Sequence, residues 1–163
     1  MESNERTTSF YRFEDLRIYS KAIDYSQWVM TTLKEPSTKA EKKLTKNFCG
    51  SSFAIGLNIA EGSSRNKAQF EHYLKISKTA IRECVVFTEV AAKIGMLTES
   101  DYETSRTFLM ELTRMIGALI ISLQHPGRKH RNDGDASDDN SDMTSSESAS
   151  DDFDTDFSIN LDN

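Results

Sequence analysis

Two prolines, Pro36 and Pro126, and seven glycines are the strong helix breakers in 163 residues. Proline removes a backbone donor and clashes with the preceding turn, and glycine weakens a helix interior, so their scarcity leaves capping residues to decide where helices end. Four segments follow. The first begins near Asp15 and is closed by Pro36. The second starts after Thr38, whose hydroxyl can accept from the Glu41 backbone while Glu41 reaches back, and it runs to Glu61 with Gly62 placed as a left-handed cap. The third opens at Asn66, three residues before Gln69, and Gly95 ends it. Thr98 caps the fourth, with Asp101 at the reciprocal position and Leu97 and Tyr102 spaced as a hydrophobic staple.

Apolar residues recur in three- and four-residue steps along all four segments. The expected seams are Leu16, Tyr19, Ile23, Met30 and Leu33, with polar Ser26 in one slot; Leu44, Phe48, Ser51, Ile55, Asn58 and Gly62; Phe70, Tyr73, Leu74, Ser77, Ala80, Ile81, Cys84, Phe87, Thr88, Ala91 and Ile94; and Tyr102, Ser105, Leu109, Leu112, Ile116, Leu119 and Leu123. The pairs Val85-Val86 and Ile120-Ile121 fall inside this periodicity, so no strand is expected. Short connections make neighbouring helices antiparallel, and the expected fold is all-α: an up-down-up-down four-helix bundle over residues 13–125. At 1.5 Å rise per residue its helices are about 30 Å long. Residues 1–12 are expected to be a flexible N-terminus. Asn58 stands out because a buried amide must find partners and can thereby fix helix register.

Charge divides the chain where the periodicity stops. The formal charge of −6 is the difference between residues 1–131, with 20 basic and 15 acidic residues, and residues 132–163, with 11 acidic residues and no Lys or Arg. The body is +5 and the tail −11. Residues 126–163 open with a basic knot, Arg128 to Arg131, and continue in Asp, Ser and Asn with few apolar residues, among them Met143, Phe153, Phe157, Ile159 and Leu161. Such a stretch cannot bury enough apolar surface to offset its ordering entropy and is expected to be disordered. The first residues lack an apolar signal core, and the longest apolar run, around Met115 to Ile121, is far short of about 20 residues, so neither secretion nor a membrane is expected. Cys49 and Cys84 lie in helical patterns without metal-ligand spacing and read as reduced packing residues in a cytoplasmic protein.

A four-helix bundle invites a di-iron test, which needs Glu-x-x-His on two helices. Of the three histidines, His72 has Gln69 three residues before it, and His125 and His130 lie at or past the end of the last helix. No metal or cofactor site is expected, and no nucleophile and base pair is placed together, so no enzyme is expected. Positive charge, in contrast, is ordered. Lys39, Lys42, Lys43 and Lys46 form one stripe on the second helix, Lys75, Lys78 and Arg82 another on the third, and Arg65 and Lys67 flank the turn between them. Stripes of this kind attract phosphates, although Glu41, Glu71 and Glu83 are interspersed. Ile76, Val85, Val86, Val90, Trp28 and Val29 lie off the main seams, more apolar surface than one bundle core requires, which points to a homo-oligomer.

The run Asn58-Ile59-Ala60-Glu61-Gly62, preceded by Phe13-Glu14-Asp15-Leu16 with Tyr19 and Ala22 and followed by Phe70, Tyr73-Leu74, Ile76-Ser77 and Glu83, resembles a specific family. It is similar to the bacterial four-helix-bundle proteins typified by the 23S rRNA intervening-sequence protein and by the accessory variability determinant of diversity-generating retroelements, over about Phe10 to Gln124. The resemblance implies a barrel-shaped homopentamer with a basic surface, and for the retroelement members binding of RNA or DNA and of a reverse transcriptase. Such proteins commonly carry Gln-Leu-Arg-Arg-Ala-Ala-x-Ser ahead of this run, where the present chain has Asn47 to Ala54 and lacks both arginines. The expected function is therefore a non-catalytic oligomeric scaffold that meets nucleic acid or a reverse transcriptase through its lysines. The alternative is a protein-interaction bundle of the intervening-sequence type with no nucleic-acid role. If the tail screens the body, ending the chain after Arg131 raises affinity for nucleic acid.

Overall fold

A computed structural model describes residues 10–125. A single 3-10 turn, Arg12–Asp15, leads into four helices: α1 Arg17–Thr32, α2 Lys39–Ser63, α3 Lys67–Lys93 and α4 Glu99–Gln124. The expected segments 1–12 and 126–163 lie outside the described residues, apart from residues 10–12. The caps act as their chemistry requires. Thr38 Oγ1 accepts from the Glu41 N–H at 3.1 Å while Glu41 accepts from the Thr38 N–H at 3.2 Å. Thr98 and Asp101 repeat the exchange at 3.2 and 3.1 Å, Asn66 accepts from the Gln69 N–H at 3.0 Å, and Gly95 turns the chain with φ of 75°.

Partners run in opposite directions along each neighbouring pair. Phe48 faces Phe87, Ser51 bonds Glu83, Ser77 bonds the Ile55 carbonyl, and Gly62 abuts Phe70 and Tyr73, so α3 descends as α2 rises. Thr88 meets Ser105 and Glu71 meets Gln124 between α3 and α4, while Lys21 meets Glu111 and Tyr25 meets Ser105 between α1 and α4. Consecutive helices pack on one another and α4 returns to α1, which closes the up-down-up-down bundle. Its core contains Val29, Phe48, Ile55, Ile59, Leu74, Leu109, Leu112 and Ile116, all within 1% of complete burial.

Three expectations change. The inward face of α1 is Ile18, Ala22, Tyr25, Ser26 and Val29, whereas Ile23 and Met30 point outward at 44% and 61% exposure. Hydrogen bonds explain this phase. Ser26 donates to the carbonyls of Ala22 and Ser52, both at 3.0 Å, and Tyr25 Oη lies 3.0 Å from Ser105 Oγ, itself 2.7 Å from Thr88 Oγ1. Polar residues with partners are thus admitted to the core, which an apolar periodicity cannot register. Gly62 is not a left-handed cap. It is buried within α2, and a Cβ there would stand 2.6 Å from Tyr73 Cβ and 2.8 Å from Phe70 Cδ2, so the missing side chain is what lets α2 and α3 approach. Asn58 is half-buried and donates to the Ala54 carbonyl of its own helix at 2.7 Å, leaving register to the serines, Tyr25 and Thr88.

By length and composition α4 is apolar enough to cross a membrane, a property hidden when uninterrupted apolar runs are counted. Leu109, Leu112 and Ile116 are buried in the bundle, and Glu111 and Arg114 interrupt the other side.

Candidate nucleic-acid interface

The first two turns of α2 hold Lys39, Lys42, Lys43 and Lys46, all exposed. They cover about 10 Å of helix at 1.5 Å per residue. Inward positions of α2 begin in earnest at Phe48, so the stripe sits where the helix surface is free of the core. No ion pair reaches these four side chains among the described residues. The carboxylate placed among them, Glu41, is engaged instead by the Ser37 N–H at 2.7 Å, the Ser37 hydroxyl at 2.9 Å and the Thr38 N–H. These donors hold its carboxyl below the ordinary range, the Ser37 backbone bond contributing most. Glu41 therefore serves the cap, and the lysine charges remain available to an external anion.

The other nominated cations are arranged differently. Arg65 pairs with Glu61 through Nε at 2.9 Å and through its terminal nitrogen, and Lys75 pairs with Glu71 at 3.0 Å. Lys67 and Arg82 are exposed and Lys78 is half-buried. Lys75, Lys78 and Arg82 fall in register with Glu71 and Val85; Glu71 reaches Gln124 of α4, and Val85 shares a groove with α4 residues. They therefore lie along the α4 side of α3. Because Phe48 is level with Phe87, Lys46 and the lysines before it stand beside the end of α3, whereas Lys75 to Arg82 stand beside the second half of α2. The two stripes do not merge into one surface on this bundle.

The α4 side of α3 carries residues that sequence reasoning passed over. Arg106 and Arg114, two turns apart on α4, flank an open groove of about 300 Å³ whose other lining residues are Val85, Leu109, Met110 and Thr113. Their spacing of eight was the signal available in the sequence. It went unread because isolated arginines on an apolar helix form no dense run. A second overlooked feature is an aromatic row, Phe10, Tyr11, Phe13 and Tyr19, with neighbouring ring centroids 5.0, 5.6 and 4.8 Å apart.

Neither cysteine has the electropositive surroundings that activate a thiol. Burial pushes Cys84 up to about 12 and also raises Cys49. Among the described residues no group of three or more His, Cys, Asp or Glu side chains comes together to hold a metal ion.

The sequence profile of the 23S rRNA-intervening sequence protein family matches residues 14–118. Comparison with curated proteins gives no match. Among solved structures, the chain is similar to a protein of unknown function from the S23 ribosomal protein family of Bacteroides thetaiotaomicron, with 20% identity and a TM-score of 0.57. The superposition covers 64% of this chain and 95% of that one, and at this identity it speaks for the fold alone.

Proposed function

The chain belongs to the 23S rRNA-intervening sequence protein family, and from that premise we propose that it is a non-catalytic, cytoplasmic, oligomeric scaffold that binds nucleic acid through α2. The observation that carries this reading is the set of four exposed lysines, Lys39, Lys42, Lys43 and Lys46, with no ion pair among the described residues and with the intervening carboxylate withdrawn into a cap. Lysines so placed neutralise phosphates and release counterions, giving affinity without base recognition. Arg65 and Lys75 add less, because Glu61 and Glu71 already hold them. In an oligomer, a homopentamer by resemblance, the stripe is repeated around the assembly and its weak contacts reinforce one another. A structured RNA is the primary ligand of this reading, and a reverse transcriptase accessory role is its narrower form.

Affinity for a structured RNA, measured from low to high salt, tests it. The expected plot of log affinity against log salt is steep, and changing the four lysines to glutamine flattens it by about 3 to 4, since each phosphate contact contributes about 0.9 to the slope. A slope unchanged by that substitution refutes the assignment to α2. At matched salt, ending the chain after Arg131 removes a charge of −11 and is expected to tighten binding.

A second reading, a bundle that engages proteins only, draws on the exposed apolar residues Val86, Met110 and Ile121, at 58%, 49% and 59% exposure. Undiminished oligomer formation together with absent RNA binding would favour it.

A further inference from the structure

We propose that the groove between α3 and α4 is a docking site for an acidic protein segment that carries a large apolar side chain. The inference does not depend on α2 binding nucleic acid, because it rests on different residues on another side of the bundle. Arg106 and Arg114 line the groove, Thr113 adds a hydroxyl, and Val85, Leu109 and Met110 supply its apolar surface. Arg82 lies on the same edge of α3, and no carboxylate lines the groove. The acidic residues nearest in sequence are engaged by other partners: Glu111 bonds Lys21 at 2.6 Å toward α1, Glu103 lines the separate depression with Lys21 and Phe108, Glu83 accepts from Ser51 of α2, and Glu89, one turn beyond Val85 on the same edge of α3, is held by Lys93 at 3.5 Å and by the Tyr102 hydroxyl of α4.

This combination selects the chemistry of the partner. Phosphates alone would meet the arginines but leave Met110, 49% exposed, in water. An apolar side chain flanked by carboxylates satisfies both, because guanidinium groups pair carboxylates in a bidentate geometry while the floor buries the apolar group. A volume of about 300 Å³ is at the lower end for ligand pockets and suits a single side-chain anchor.

A synthetic peptide with the sequence of residues 151–161, four aspartates interleaved with Phe153, Phe157, Ile159 and Leu161, has the required chemistry and serves as the probe. The host is the full-length protein carrying Phe153→Ala and Phe157→Ala, labelled at its methionine methyl groups, so that the added peptide is the source of those aromatic anchors. On titration the Met110 methyl resonance is expected to move saturably while those of buried Met96 and of outward Met30 on α1 stay in place. Changing Arg106 and Arg114 to glutamine, or both peptide phenylalanines to alanine, is expected to weaken binding at least tenfold. Arg82→Gln, alone on α3, weakens it by a smaller factor and guards against a fold defect in the double variant. The proposal is overturned by a static Met110 signal, or by equal affinity for the alanine peptide, which would indicate charge alone. It is equally overturned if single-stranded RNA moves Met110 and excludes the peptide, or if Met110 moves with protein concentration alone, which would assign the groove to a second copy.

Discussion

The two faces of α2 put glycine and polar side chains to opposite ends. On the inward face, glycine and serine are fixed by contact: Gly62 lies against Tyr73 and Phe70, Ser51 donates to Glu83 at 2.6 Å, and Ser52 donates to the Cys49 carbonyl at 2.8 Å. On the outward face, Gly50 has nothing within 4 Å of where a Cβ would stand, and Lys39, Lys42, Lys43 and Lys46 have no ionic partner among the described residues. Residue type therefore says little about role until its surroundings are known. The inward face is committed to the bundle, and the outward face keeps its charge for something else.

This contrast predicts a graded series. Gly62→Ala is expected to destabilise most, by about 3 kcal/mol, the upper end for overpacking, because the clashing atom is a Tyr73 Cβ rather than a flexible side-chain tip. Chemical denaturation measures it, and a loss below about 0.5 kcal/mol would mean that the helices separate freely there. Ser51→Ala removes a hydroxyl bonded to a carboxylate and is expected to cost about 1 kcal/mol, limited because exposed Glu83 can turn to water. Gly50→Ala on the outward face should stabilise by about 0.5–1 kcal/mol through helix propensity. A destabilising Gly50→Ala would break the contrast, and would point to a neighbouring copy packed on that face. The four-lysine-to-glutamine variant should stay within about 0.5 kcal/mol of the parent even as its salt slope for RNA falls. Loss of stability and of binding together would instead make the lysines part of the fold.

The α2 cap sharpens the contrast through pH. Glu41 is depressed below its unfolded value chiefly by the Ser37 backbone bond, so its contribution is full above the unfolded carboxylate range and is lost as pH falls through the depressed folded value. Denaturant midpoints taken from pH 6 to pH 3 should decline, and part of that decline should vanish in Glu41→Gln. The interior has an analogous signature at high pH: with Cys84 pushed to about 12 by burial, it is expected to resist thiol reagents at pH 8 until the bundle unfolds, after the half-buried Cys49 has reacted.

Much of the architecture was legible because local chemistry sets it. Thr38 with Glu41, Asn66 with Gln69, Gly95, and Thr98 with Asp101 terminate helices by bonds within a few residues, and those boundaries agree closely with the structure. The α4 seam was equally legible, since Ser105, Leu109, Leu112 and Ile116 are all buried. On α1 the spacing rightly favours Leu16, Tyr19, Ser26 and Leu33 but also favours Ile23 and Met30, which are exposed, over Ala22 and Tyr25, which carry too little apolar signal to outweigh them. Of the candidate site, the lysine stripe was visible as spacing alone, but the commitments of Arg65 and Lys75 to glutamates required their geometry. The Arg106 and Arg114 groove needed two helices side by side before it existed at all.

By itself the sequence determined the helix count, the helix ends marked by Thr38, Asn66, Gly95 and Thr98 and the opposed charges of body and tail, because caps, breakers and formal charge act over a few residues or none. Tertiary structure decided that Gly62 is a contact point, that Asn58 turns back on its own helix, and which cations keep their charge unshared. The reason is physical: a polar or small side chain is placed by the partner it finds, one turn away for Asn58, Arg65 and Lys75 and on another helix for Gly62, Tyr25 and Ser51, and residue spacing alone does not say which.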